Sequence, residues 1–311
     1  MSGYRAPWWL PGGHVQTLAA ALGPAPRVVF VRERWGTPDG DFVDVDWAGN
    51  QGAARLLVLF HGLEGSSRSH YARSIAALAA ASGWRVALPH FRGCSGEPNR
   101  LPRAYHSGDS DELDWMLRRF AGQGVALHAA GVSLGGNVLL KWLGERAAQA
   151  RALVRRAAAI SAPIDLAAAG AALDRGFNRR SYTRLFLATL KTKAYAKLAL
   201  GQLQFDEQRM ARARTLHEFD DLVTAPLHGF LDADDYWARA AAAPWLEHIA
   251  VPTLVLNAKN DPFLPAQALE RATREASSRV LLESPPSGGH AGFPGRRQWL
   301  ARRVLEFLSQ S

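Results

Sequence analysis

Along the 311-residue chain the alternation of hydrophobic and polar positions changes rhythm. Two strand-like runs open it, "RVVFVRER" from Arg27 and "DFVDVDW" from Asp41, with "TPDG" between them as a turn, which predicts an antiparallel start. From Arg55 the rhythm changes. Short apolar runs, "RLLVLF", "WRVALPHF" and "GVALHAAG", are separated by segments of helical period, "RSHYARSIAALAAAS" and "GDSDELDWMLRRF". That order predicts a parallel sheet crossed by right-handed strand–helix–strand connections. The same rhythm resumes near the C-terminus with "PTLVLNA", a helix from about Pro265, "RVLLESP", and a last amphipathic helix from about Gly295 ending "QWLARRVLEFLSQ". Between these halves the pattern is helical and no strand is evident. The expectation is an α/β chain with a mostly parallel central sheet flanked by helices. Residues 1–162 and 238–311 form its core, and 163–237 form a helical cap insertion over one end of the sheet.

Composition narrows this picture. At 48% hydrophobic residues, a chain of this length can bury about three quarters of the surface its unfolded form exposes, enough for one large core. The single cysteine, Cys94, leaves no internal disulfide framework and no cysteine-rich zinc site. In "FRGCSGEPN" it has no neighbouring base, so a packed thiol is expected there. Pro7, Pro11, Gly12 and Gly13 break the N-terminal apolar patches before a signal peptide can form, and nothing approaches the roughly 20 apolar residues of a membrane span. A soluble, unexported, cytoplasmic protein is expected. The net charge of +9 is arginine scattered along helix-like segments, with no nucleic-acid motif around it, so no nucleic-acid partner is expected.

The chemistry starts at "AAGVSLGGN". Gly131-Val132-Ser133-Leu134-Gly135 fits G-x-S-x-G, a weak match alone. Its setting strengthens it: the serine follows an apolar strand and precedes the helical run "NVLLKWLGERAAQ", the strand, sharp turn and helix of a nucleophile elbow. A serine hydroxyl at neutral pH needs a base, an orienting acid and donors for an oxyanion. His290, in the glycine-flanked loop "PPSGGHAGF", is the candidate base. Asp261, directly after "TLVLN", is the candidate acid. The backbone N–H groups of Leu134, beside the nucleophile, and Leu63, in "HGLEG", are the candidate oxyanion donors. Glu64 is expected to point away from that hole and His61 to brace its loop. His14, His90, His106 and His128 are read as structural or surface groups. Asp165, in "AAAISAPIDLAAAG", competes with Asp261 for the acid, but a helix N-cap is the more economical role.

The segments "PWWLPGGHVQTL", "HGLEGSSRSHY", "FRGCSGEPNRLPRAYHSGDSDEL", "GVSLGGN", "EFDDLVTAPLHGFLDADDYW" and "NAKNDPFLP" together resemble the YheT-like carboxylesterases, a branch of the α/β-hydrolase superfamily. The resemblance runs over nearly the whole chain, from about Pro7 to the C-terminal helix. It implies the α/β-hydrolase fold and a triad on Ser133, Asp261 and His290. It also implies a small-molecule carboxylic ester as substrate, short-chain or lipid-derived, with neither cofactor nor metal. An acyltransferase or thioesterase using the same triad, and a non-catalytic ligand-binding member of the fold, are the competing expectations. The stretch 180–200, "RSYTRLFLATLKTKAYAKLAL", is expected to line the acyl pocket with its apolar face, while its basic face suits a weak contact with anionic lipid surfaces.

Overall fold

The computed structural model describes residues 3–295 and 298–310. Among the described residues eight strands form one sheet: β1 (Val31–Gly36), β2 (Phe42–Gly49), β3 (Arg55–Phe60), β4 (Arg85–Pro89), β5 (Ala126–Val132), β6 (Ala157–Ile160), β7 (Thr253–Leu256) and β8 (Val280–Glu283). Their order across the sheet is β1-β2-β4-β3-β5-β6-β7-β8. The β1–β2 and β2–β4 pairs are antiparallel and every other pair is parallel. Thus the strand-like opening becomes an antiparallel edge on a parallel sheet, as its rhythm predicts.

The strands from β3 inward are buried on both faces, which is why they read as unbroken apolar runs. Successive β3 residues point to opposite layers. Leu56, Val58 and Phe60 join one cluster with helices α3 (Ser110–Ala121) and α4 (Leu134–Leu153), while Leu57 and Leu59 join the other with α2 (His70–Ala81) and the C-terminal helix Trp299–Leu308. An N-terminal helix, α1 (Gly12–Leu22), precedes the sheet.

Between β6 and β7 the chain makes helices alone, beginning with α5 (Leu166–Leu173) and including the helix Arg184–Ala199. They close on a third apolar cluster that holds Tyr182, Leu187, Met210, Phe219 and Trp237. Asp165 caps α5, its side chain accepting from Ala168 N at 2.9 Å. Two predicted boundaries move. The ladder of β1 starts at Val31, since Val28 and Phe30 satisfy their hydrophobicity by packing on the helix layer while Val29 is exposed. The last helix starts at Trp299, and residues 296–297 of the predicted start lie outside the described residues.

Candidate active site

Strand β5 ends at Val132, α4 begins at Leu134, and Ser133 makes the whole turn between them. Its φ of 54° and ψ of −124° lie where side chains other than glycine are seldom found. The flanking glycines permit this turn. A Cβ on Gly131 would stand 2.3 Å from Gly135 O, and one on Gly135 would stand 2.5 Å from His61 O. Strand β5 and helix α4 therefore meet backbone to backbone, and the sheet fixes the serine from the other side through Ser133 N to Ile160 O at 2.8 Å.

The loops after β7 and β8 bring up the other two residues chosen from the sequence. His290 Nε2 lies 3.0 Å from Ser133 Oγ. Its Nδ1 lies 3.0 Å and 3.2 Å from the two carboxylate oxygens of Asp261. Asp261 is buried, and its Oδ1 also accepts from Phe263 N at 2.8 Å, so the acid is fixed to its own loop. Phe263 stacks on the imidazole, ring centroids 4.0 Å apart, closing that face against water. Asp165, engaged at its cap, makes no hydrogen bond to His290.

Leu63 and Leu134 line the same cavity as Ser133 and His290. Among the described residues neither backbone N–H is taken by a turn, loop or cap bond, so both are available to an oxygen there. The Leu63 loop is braced as its position demands. Fully buried His61 accepts from Phe91 N at 3.1 Å through Nε2, so the Nδ1 proton is donated to Gly62 O at 2.8 Å. Burial pushes the His61 pKa down to about 3, so the ring is a neutral brace and no base. Gly62 N donates to Tyr71 Oη and Glu64 N donates to Tyr105 Oη, each at 2.9 Å. The Glu64 carboxylate turns to Tyr105 Oη and Lys193 Nζ, both 2.7 Å away, and does not line the Ser133 cavity. Cys94 packs beside this pair, and burial raises its pKa to about 11. Among the described residues no cluster of three or more His, Cys, Asp or Glu side chains is placed to hold a metal ion.

Sequence reasoning missed how the His290 loop is held. Four successive amides donate to four side chains: Gly288 N to Gln16 Oε1 at 2.8 Å, Gly289 N to Asn260 Oδ1 at 3.0 Å, His290 N to Thr17 Oγ1 at 2.8 Å, and Ala291 N to Ser161 Oγ at 2.8 Å. Asn260 Nδ2 in turn donates to Gln16 Oε1 at 2.9 Å, tying the Asp261 loop to the same glutamine. Gln16 and Thr17 are the two buried residues of α1, an odd choice for a helix so rich in alanine and leucine, and that was the available signal. The fit is close: a Cβ on Gly13 would fall 1.9 Å from Asn260 O.

With this geometry in view, the relationships are informative. Residues 55–295 match the alpha/beta hydrolase fold family. YheT of Escherichia coli (strain K12), an esterase by name alone, is 40% identical over 95% of this chain and 90% of its own length. The mouse phospholipase ABHD3 is 28% identical over 86% of this chain and 67% of its own. Among solved structures, the Pyrococcus furiosus esterase PF2001 superposes with a TM-score of 0.61 at 16% identity, over 90% of this chain and 91% of that one, a likeness of fold. No described helix is long and apolar enough to cross a membrane. The chain belongs to the α/β-hydrolase fold family, in its YheT-like branch.

Proposed function

We propose that this protein hydrolyses carboxylic esters through an acyl-enzyme on Ser133. One observation carries the reading: the unbroken contact from Asp261 through His290 to Ser133, opening on a cavity walled by Leu166, Leu190, Phe219 and Trp237. Names of relatives that include an esterase and a phospholipase support it.

In this reading His290 Nε2 takes the Ser133 proton as Oγ bonds to the ester carbonyl carbon. The carbonyl oxygen, now negative, accepts from Leu63 N–H and Leu134 N–H, which are preset for it. The Asp261 carboxylate accepts from His290 Nδ1, holding the useful tautomer and balancing the imidazolium. The C–O bond to the alcohol breaks as His290 returns its proton to the leaving oxygen. Water then repeats the sequence on the acyl-enzyme. The acid departs and Ser133 regains its hydrogen. Residues 163–237 act as a cap that limits which acyl groups reach the serine.

A fluorophosphonate probe should label the purified protein at Ser133, located by peptide mass spectrometry, and p-nitrophenyl esters should be turned over with release of free acid. A protein that neither takes the probe nor cleaves any ester overturns the reading. Transfer of the acyl group to a dilute added alcohol, in place of acid release, would convert it to an acyltransferase.

A further inference from the structure

The cavity at Ser133 is small, about 110 Å³, and lies below the roughly 300 Å³ at which sites for small organic molecules begin. Beside it, under the helix Arg184–Ala199, lies a second cavity of about 350 Å³. The two share Tyr105, Leu190, Phe219 and Thr224, so the partition is one side chain thick. Tyr105 in that partition is fixed by its hydrogen bonds with Glu64. Leu190 and Phe219 are hydrocarbon side chains, which pass between staggered rotamers without breaking a polar contact.

The lining of the second cavity states its ligand. Its cations are already engaged. Lys193 donates to Glu64 at 2.7 Å, and Lys197 donates to the carbonyls of Leu101, Pro102 and Arg103. Arg92 is paired with Asp39, Asp41 and Glu112. An anionic headgroup placed there would compete with these partners and face the carboxylates of Glu64 and Glu97, which line the same cavity. What the cavity offers a ligand is hydrocarbon, from Ala194, Leu200, Leu203, Val223 and Leu227.

We infer that this second cavity seats the distal half of a long acyl chain whose ester carbonyl lies at Ser133, and that Leu190 and Phe219 form the gate the chain passes. The inference rests on the ester-hydrolase reading and narrows its substrate class to esters of medium- and long-chain fatty acids. Ala194 and Leu227 line the second cavity and not the first, so enlarging either fills the chain's seat without touching the catalytic groups.

The experiment compares p-nitrophenyl butyrate with p-nitrophenyl dodecanoate for the wild type, Ala194→Phe and Leu227→Trp, with thermal melts to confirm folding. The wild type should cleave both esters. Each variant should lose about 10-fold or more in kcat/KM on the dodecanoate, as expected when a pocket loses room for even one methylene, and keep its rate on the butyrate. Leu227 is only half-buried, so its variant keeps the test standing should the buried Ala194→Phe fail to fold. Equal losses on both esters, or a dodecanoate rate unchanged in folded variants, overturn the inference. A wild type active on butyrate and inactive on dodecanoate also overturns it, while leaving ester hydrolysis intact. A wild type inactive on every ester removes the reading beneath it.

Discussion

Ser133 and His290 touch, yet they are positioned by two unlike constructions. What fixes the serine's backbone is near it in the chain or in the sheet: a strained turn, two glycines that let backbone meet backbone, a bond from Ser133 N to Ile160 O on the adjacent strand, and bonds from Gly136 N and Asn137 N to Ser133 O in the first turn of α4. The histidine loop is held by hydrogen bonds that its amides donate to side chains 29, 130, 272 and 273 residues away. Close packing tolerates almost no displacement and fails abruptly, whereas a set of hydrogen bonds can lose one member and degrade in steps. Ser133 should therefore behave as a fixed point and His290 as an adjustable one.

Mutation can break that contrast. The largest effect is expected from Ser133→Ala, with kcat lower on the order of 10⁶-fold and a native circular dichroism spectrum, since only chemistry is lost. Next comes Asp261→Asn, with a loss of up to about 10⁴-fold as the amide favours the wrong imidazole tautomer. Asp165→Asn should cost little turnover, because asparagine caps α5 about as well. The reverse pattern in steady-state kinetics would move the acid to Asp165.

A test of the adjustable base is milder. Thr17→Val leaves His290 N–H without its acceptor and Gln16→Leu frees Gly288 N–H, so each should lower kcat by about 10- to 100-fold with KM nearly unchanged. Thr17→Ser, which keeps the hydroxyl, should restore most of the rate. A fall in KM and kcat together, or no fall at all, would mean that the loop holds its place without α1. The smallest effect is expected away from both constructions, at Asp220. Burial raises its carboxyl pKa to about 6, although Thr224 and Trp237 donate to it. A carboxyl whose folded pKa exceeds its unfolded value costs stability above the folded pKa and recovers it as pH falls below the unfolded one. Asp220→Asn should therefore raise stability by about 2 kcal/mol at pH 7, a few degrees in Tm, and by nothing near pH 4.

The same contrast explains what could be read from the chain. The elbow was legible because strand, glycines, serine and helix are contiguous, so local spacing carries the geometry. Asp261 and His290 could be singled out because each follows a short apolar run that reads as a strand, buried β7 before Asp261 and the edge strand β8, with Leu281 and Leu282 exposed, before His290. Asp165 as a cap and His61 as a brace also followed from neighbours in sequence. The grip of Gln16 and Thr17 on residues 288–290 was not legible, since no local pattern records a bond across 272 or 273 residues. Nor could the partner of Glu64 be named: Lys193 lies 129 positions away on a helix whose rotation no alternation reveals.

The clasp between the chain's first and last segments also sets a timetable. Tyr4 donates to Pro294 O, Ala6 N to Ser287 Oγ, and Gln16 and Thr17 accept from the loop between them, so these contacts span almost the full length of the polypeptide. Loops of that length close late, after the more local strand pairings have formed. A nascent or refolding molecule can thus present an assembled Ser133 turn and Leu63 loop while the His290 imidazole is still unplaced. Activity would be the last property to mature, and removal of residues 1–22 by a protease would return a largely folded protein to that silent stage.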